Sequence, residues 1–415
     1  MILNVNFLYI DPGTGSMLFS ILIGAAATLF FLAKAAWLKI KVFFAGKKDG
    51  TAVDTSFKKY VIYNEGNQYW NLFKPICEEF ESRKTELTYY TSAQNDPCFN
   101  QNYTYVKPEF IGEGNKAYAK LNMLSAGFVL MTTPGLNVYQ LKRSKNVKHY
   151  ANILHGASDA TMMKLFALDY FDSVLLTGNY QAKDIRTIEA QRNLNAKNLI
   201  TVGCPYLDVN KKLLEEIPAE KNHPFTVLVS PSWGPHSLLC KYGEQLLDPL
   251  VKSGWRIIVR PHPQSKKAEP QILEALQNKY KDNKNVEWDF EGTNIYSMKK
   301  SDIMISDFSG IIYDYTFLCD KPVMYVNASL DLMVYDAYDL KELDNGKNIW
   351  QFSILKKMGI ELDDTKFSQI TDIIKKASDS KELAKKRKEA KDTAWMFQGN
   401  GAKNTVDYMI KTIEG

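Results

Sequence analysis

Ile303-Met304-Ile305, then Ser306-Asp307-Phe308-Ser309-Gly310, then Ile311-Ile312-Tyr313-Asp314-Tyr315 is the stretch that decides how this chain is built. The order predicts a strand, a tight turn and the start of a helix. A first helical turn leaves backbone N–H groups unpaired and carries partial positive charge, so the junction suits an anion. Ser306 and Ser309 add hydroxyl donors beside Asp307, and Gly310 allows a ligand close to the backbone. Asp314, one turn into the helix, is placed to accept from a ribose hydroxyl. Ser and Asp at such a point also serve as plain helix N-caps, so the stretch needs support. Trp255-Arg256-Ile257-Ile258-Val259-Arg260-Pro261-His262-Pro263 supplies it: a strand runs into a cation and an imidazole on a proline-stiffened turn. Two anion-friendly strand ends predict a bound phosphate or pyrophosphate.

Outward from this turn, strands and helices alternate in both directions. Strands are expected at 225–230, 256–260, 286–289 and 322–326, with helices at 238–252, 272–281 and 311–318. The same alternation precedes them, with strands at 60–63, 87–91, 127–133, 149–154, 173–177 and 199–202, and helices at 69–83, 117–124 and 180–192. Such alternation means an α/β fold with parallel sheets covered by helices. Gly203 to Asp208 reads as a break, and the charged segment Lys211 to His223 as a domain connection. The expected organisation is a Rossmann-like domain over 58–208, a second over 209–362, and Lys-rich helices over 363–415 that pack back across both. A nucleotide would lie between the halves, at the carboxyl ends of the strands.

A chain of 415 residues exceeds one typical core and suits two domains with additions. Apolar residues make up 45% and charged residues 24%, which excludes a disordered chain and fits a globular enzyme. The formal charge of +5 is spread among acidic residues without any nucleic-acid-binding signature. It argues against a nucleic-acid partner and favours an anionic membrane surface or a phosphorylated substrate. Five scattered cysteines, without C-x-x-C or metal-ligand spacing, read as reduced thiols. Neither a metal nor another cofactor is expected.

Met17 to Ala33 is unbroken by charge. A membrane helix needs roughly 17–25 apolar residues, and Lys34 and Trp37 extend the run as interfacial anchors. No basic residue precedes it, which disfavours a cleaved signal peptide. Lys34, Lys39, Lys41, Lys47 and Lys48 follow it, so the positive-inside rule puts the short N-terminus outside and the large remainder in the cytoplasm. Residues 1–45 are therefore expected to form a single-pass anchor in the inner (cytoplasmic) membrane, and 46–57 a linker.

Leu154-His155-Gly156-Ala157-Ser158-Asp159 follows an apolar strand, so His155 is expected to project into the cleft. Gly156 would permit an unusual backbone angle and leave room for substrate. An imidazole near neutral pKa suits removal of a hydroxyl proton, although a loop histidine is also compatible with a structural role. Asp159 is placed either to orient the imidazole or to cap the next helix. Arg260 and His262 offer donors to a pyrophosphate; the alternatives are an Arg ion pair and a His packed on Pro263. In Ser230-Pro231-Ser232-Trp233-Gly234, Ser232 reads as a phosphate donor and Trp233 as a wall of the base pocket, or the whole as a plain turn. No Walker loop, H-E-x-x-H or G-x-S-x-G elbow occurs.

Leu154-His155-Gly156, Gly203-x-Pro205-x-x-Asp208, Ser230-Pro231-Ser232-Trp233, Arg260-Pro261-His262-Pro263, Ser306-Asp307-Phe308-Ser309 and Asp320-Lys321-Pro322 occur in that order. Together they resemble the CDP-glycerol glycerophosphotransferase family of teichoic-acid type. The resemblance implies a GT-B-like pair of Rossmann-like domains at the cytoplasmic membrane face. It implies transfer of glycerol phosphate, or another alditol phosphate, from CDP-glycerol or another CDP-alditol to a hydroxyl of a lipid-linked polymer, with release of CMP. His155 then resembles the family's base, Arg260 and His262 its pyrophosphate ligands, and Ser306, Asp307 and Ser309 its phosphate side. The chain departs from the pattern at Ala157, where Thr is usual, at Tyr206, where Arg is usual, and at Gly310, where a second Ser is usual. An integral anchor is a further departure, since many members bind membranes peripherally. Two other readings share the fold. One is a GT-B glycosyltransferase or sugar-nucleotide epimerase using a UDP-sugar. The other is a membrane-anchored nucleotide-binding protein with a decayed site.

Overall fold

β1 (Lys58–Asn64), β2 (Leu87–Thr91), β3 (Val106–Phe110), β4 (Ala126–Met131), β5 (Val147–Ile153), β6 (Ser173–Leu176) and β7 (Asn198–Thr201) build a seven-stranded sheet, ordered β3-β2-β1-β4-β5-β6-β7. β8 (Thr226–Val229), β9 (Arg256–Val259), β10 (Val286–Trp288), β11 (Ile303–Ser306), β12 (Val323–Tyr325) and β13 (Ile360–Glu361) build a six-stranded sheet, ordered β10-β9-β8-β11-β12-β13. All pairings are parallel. The computed structural model describes residues 28–30, 33–34, 56–160, 163–221, 223–326, 339 and 350–415.

The strands alternate their side chains between two apolar layers, as parallel strands buried on both faces must. Val61 and Tyr63 of β1 join one core, and Tyr60 and Ile62 join the opposite one. In β11, Ile303 and Ile305 face one core while Met304 faces the other. Each sheet reverses its strand order beside its first strand, between β1 and β4 and between β8 and β11, and such switch points open crevices at strand carboxyl ends.

Several elements differ from the sequence expectation, among them the helices Ser265–Ala268, Ile295–Lys300 and Trp350–Met358, for which no helix was expected. β3 was not expected because Pro108 interrupts it; a proline is tolerated there because β3 is an edge strand. β13, two residues long, carries too little pattern to read. The connection between the halves is a helix, Pro205–Glu216, with Pro205 at its first turn, where the missing N–H does no harm. Lys212, Glu215 and Glu216 form the solvent face of an amphipathic helix, whereas Asp208 is buried.

Two C-terminal helices tie the halves together. Lys381–Ala394 packs on Ile311–Cys319 and Trp350–Met358, whereas Gly401–Glu414 packs on Trp70–Ser82 and β4. Asp208 holds the turn between them, accepting from Trp395 Nε1 (2.9 Å) and from the amides of Gly399 (2.7 Å) and Gly401 (2.9 Å). The Gly203-x-Pro205-x-x-Asp208 motif is therefore a clamp on the C-terminus. Gly203 has φ +98°, and a Cβ there would lie 2.6 Å from the Met396 carbonyl oxygen. Gly203→Ala is expected to destabilise the fold by at least ~2 kcal/mol, read as a lowered urea midpoint. Asp320-Lys321-Pro322 is likewise structural: Lys321 Nζ donates to the carbonyls of Lys299 (3.0 Å) and Ser301 at the end of Ile295–Lys300.

The described residues at 28–30 and 33–34 are helical. No helix among the described residues is long and apolar enough to cross a membrane. The rest of the run Met17 to Ala33, on which the membrane expectation falls, lies outside the described residues.

Candidate active site

The turn after β11 is organised by Asp307, which is buried. Its carboxylate accepts from the Ser232 amide (2.9 Å) and hydroxyl (3.0 Å), the Leu238 amide (2.9 Å) and the Ser309 amide (3.1 Å). Burial raises the Asp307 pKa, and these four donors work against that rise by favouring the charged form. Ser306 Oγ donates to the Ser230 carbonyl (2.6 Å). Ser232, Ser306 and Asp307, expected on the phosphate side, use their side chains in this structure to join the ends of β8 and β11. What remains open is the start of the next helix: Ser309, Gly310 and Ile311 line a cavity. Among the described residues, the Ser309 hydroxyl and the amides of Gly310 and Ile311 have no protein acceptor or donor. A Cβ on Gly310 would meet nothing within 4 Å, so the usual serine would fit and glycine simply widens the space.

That cavity, of about 520 Å3, also takes in Arg260 and His262. The Arg260 guanidinium makes a buried ion pair with Asp289 (2.7 Å) and donates to the Glu291 carbonyl (2.8 Å). The ion-pair alternative is thus realised, and Arg260 still forms part of the cavity wall with its charge held in place. His262 Nδ1 accepts from the Gln264 amide (3.1 Å), which leaves the proton of a neutral ring on Nε2. Burial lowers the His262 pKa while Glu269 opposes the shift, so the ring is a neutral donor at pH 7. Trp233 stands beside it, ring centroids 6.4 Å apart, and is not among the side chains lining this cavity.

A second cavity, of about 320 Å3, contains His155, Gly156, Tyr69, Tyr313 and Asp314. His155 leaves the end of β5 and is open to solvent through this cavity, yet protein surrounds it, and that desolvation lowers its pKa. The Tyr69 ring stands edge-on to the imidazole at 5.3 Å between centroids. Gly156 has no left-handed φ, so its contribution is space alone. Asp159 is buried and its amide donates to Gln351 Oε1 (3.1 Å); among the described residues no hydrogen bond joins its carboxylate to His155. Asp314 does not line the Arg260–His262 cavity where a ribose reading would seat it. It faces the His155 cavity, accepts from the Tyr206 hydroxyl (3.2 Å), and is pushed by burial to a pKa of about 7. Tyr206, Gly310 and Gln68 line both cavities, so the two meet at these residues. The sequence reading passed over Gln68 and Tyr69. Their only signal was position, immediately after the central strand β1.

Two parallel sheets with matched strand orders, meeting at a cleft lined from both, define a GT-B-like α/β protein. The chain belongs to the family of CDP-Glycerol:Poly(glycerophosphate) glycerophosphotransferases, whose model matches residues 58–406, and it is an enzyme of that type. No curated protein matches the sequence. The fold is shared with the wall teichoic acid polymerase TagF, at 16% identity and a TM-score of 0.56, covering 92% of this chain and 97% of TagF. A TagF variant soaked with CDPG gives 15% identity and a TM-score of 0.56 over 88% and 90% of the two chains. The UDP-GlcNAc 2-epimerase from Methanocaldococcus jannaschii gives 12% identity and a TM-score of 0.54 over 85% and 99%. At these identities the likeness speaks for the fold alone.

Proposed function

We propose that the enzyme transfers glycerol phosphate, or a related alditol phosphate, from CDP-glycerol to a hydroxyl of a lipid-linked cell-surface polymer or primer, releasing CMP. The observation that carries this reading is the meeting of two cavities at Tyr206 and Gly310, one holding a neutral histidine and the other a fixed cation beside unpaired N–H groups. His155 takes the acceptor hydroxyl proton as the oxygen attacks the β-phosphorus. The bond from that phosphorus to the bridging oxygen breaks, and its electron pair leaves on CMP. His262 Nε2–H, the Ser309 hydroxyl and the amides of Gly310 and Ile311 donate to the growing negative charge, with Arg260 adding a fixed positive field. Residues 1–45 serve as a membrane anchor, joined by the linker 46–57 to catalytic halves on the cytoplasmic side, which suits a lipid-linked acceptor. The epimerase-like fold favours one rival, a UDP-sugar enzyme. The full chain in detergent, incubated with CDP-glycerol, CDP-ribitol and UDP-GlcNAc plus a lipid-primer analogue, is expected to release CMP only when primer is present. UDP release with the CDP-alditols inert would replace this reading with the rival.

A further inference from the structure

A third cavity, of about 830 Å3, opens at the carboxyl ends of β1 and β2, with the segment after β3 as its far wall. It shares Asn67 and Gln68 with the Arg260–His262 cavity, and Gln68 also with the His155 cavity. Three spaces therefore converge on one glutamine in the turn after β1. Two of them hold the groups assigned above to donor and base, and the third has no role yet.

Its wall is built from hydrogen-bonding side chains of both kinds. Asn67, Gln68 and Asn95 are amides, Tyr118 a phenol, and Glu65 and Glu113 carboxylates; among the described residues no Lys or Arg lines it. Lys120, on the neighbouring helix Asn115–Leu121, is paired with Glu109 instead. The floor is rigid. Buried Asp96 accepts from Asn64 Nδ2 (2.9 Å), Thr91 Oγ1 (2.7 Å) and the Cys98 amide (2.9 Å), and Tyr63 is hydrogen-bonded to Ser92 (2.9 Å). Asn67 Nδ2 donates to Asn95 Oδ1 (2.9 Å), which closes the rim. Burial first, and the Glu65 charge second, raise the pKa of both Tyr69 and Tyr118, so Glu65 lies close to both phenols. Tyr69 in turn packs on His155.

We propose that this cavity is the acceptor subsite and that it holds an uncharged, hydroxyl-rich saccharide rather than a phosphodiester chain; the assignment of an acceptor rests on the transferase reading above. A phosphodiester polymer brings one negative charge per unit, and here it would face two carboxylates with no lining cation to offset them. Sugar hydroxyls both donate and accept. They match carboxylates and amides at once, and phenol rings offer a flat apolar surface to the sugar ring.

The test uses the full chain in detergent with two sets of ligands on the same alkyl tail: decyl glycosides of glucose, galactose and N-acetylglucosamine, and a decyl-linked glycerol phosphate trimer. Saturation-transfer NMR reads binding without turnover. At least one glycoside is expected to bind in preference to the trimer, and Glu65→Gln or Glu113→Lys to weaken that glycoside about tenfold. In the coupled assay the same variants should raise the acceptor KM and leave the CDP-glycerol KM within about twofold. A trimer that binds as well as every glycoside, no glycoside binding at all, or unchanged affinity in both variants would overturn the assignment. Glycoside binding that is lost in the variants, without CMP release from CDP-glycerol, would instead strike the transferase reading and leave the saccharide site standing.

Discussion

His155→Asn should lower turnover with CDP-glycerol by about 10^3-fold, the scale of a lost general base. Asparagine keeps the approximate size and hydrogen-bonding capacity of the imidazole but cannot take a proton. CDP-glycerol affinity should hold, because the groups proposed to meet the donor's charge, Arg260, His262 and the helix start at Gly310, lie in the adjoining cavity. The pH dependence carries a sign. Desolvation places the His155 pKa below its ordinary 6.5, so the ring is neutral and competent at pH 7. Activity should therefore be level through neutral pH and fall only as acid protonates the ring below that value. CMP release measured across pH with both proteins tests this, and a variant within a few-fold of the parent would remove His155 as the base.

Asp314→Asn should change how stability depends on pH, by about 4 kcal/mol between pH 4 and 8. The Asp314 carboxyl sits in the fold at a pKa of about 7, against 3.8 for an ordinary aspartate. A folded pKa raised above the unfolded one means that the protonated group's contribution is complete below pH 3.8. It is then lost as pH rises through about 7, because the unfolded chain gives up its proton first. Asparagine has no proton to give up, so the variant gains on the parent as pH rises. Tyr206→Phe should enlarge the parent's loss, since the Tyr206 hydroxyl is the donor that favours the charged form. Urea unfolding of the three proteins at pH 4, 6 and 8 measures the differences, and a difference that does not vary with pH would contradict the buried-acid account.

Much of the fold was legible because its signals are local. Alternating strands and helices announced the parallel sheets, and the apolar runs Val227–Val229 and Ile303–Ile305 could be read as strands covered on both faces. The elements that escaped are those where local signal is weak or misleading. Pro108 masked β3, and two residues are too few to show a period at Ile360–Glu361. The charged helix Pro205–Glu216 looked like a linker because only one side of it meets the core.

Within the candidate site, the sequence by itself located the strand-end turns carrying His155, Arg260, His262 and Ser309–Gly310, which line the two adjoining cavities. Only the tertiary structure decided which polar groups are left for a ligand. Ser232 and Ser306 carry the same hydroxyl as Ser309, and Asp307 an acceptor carboxylate, yet these three are satisfied by each other and by backbone groups of distant strands, Ser232 and Asp307 being 75 positions apart. The fold likewise carried Asp314 away from the Arg260–His262 cavity into the one that holds His155, and among the described residues it forms no bond between Asp159 and the imidazole. A buried polar group takes whichever partner the fold brings within about 3 Å, and that choice is made through space, where sequence spacing holds no information.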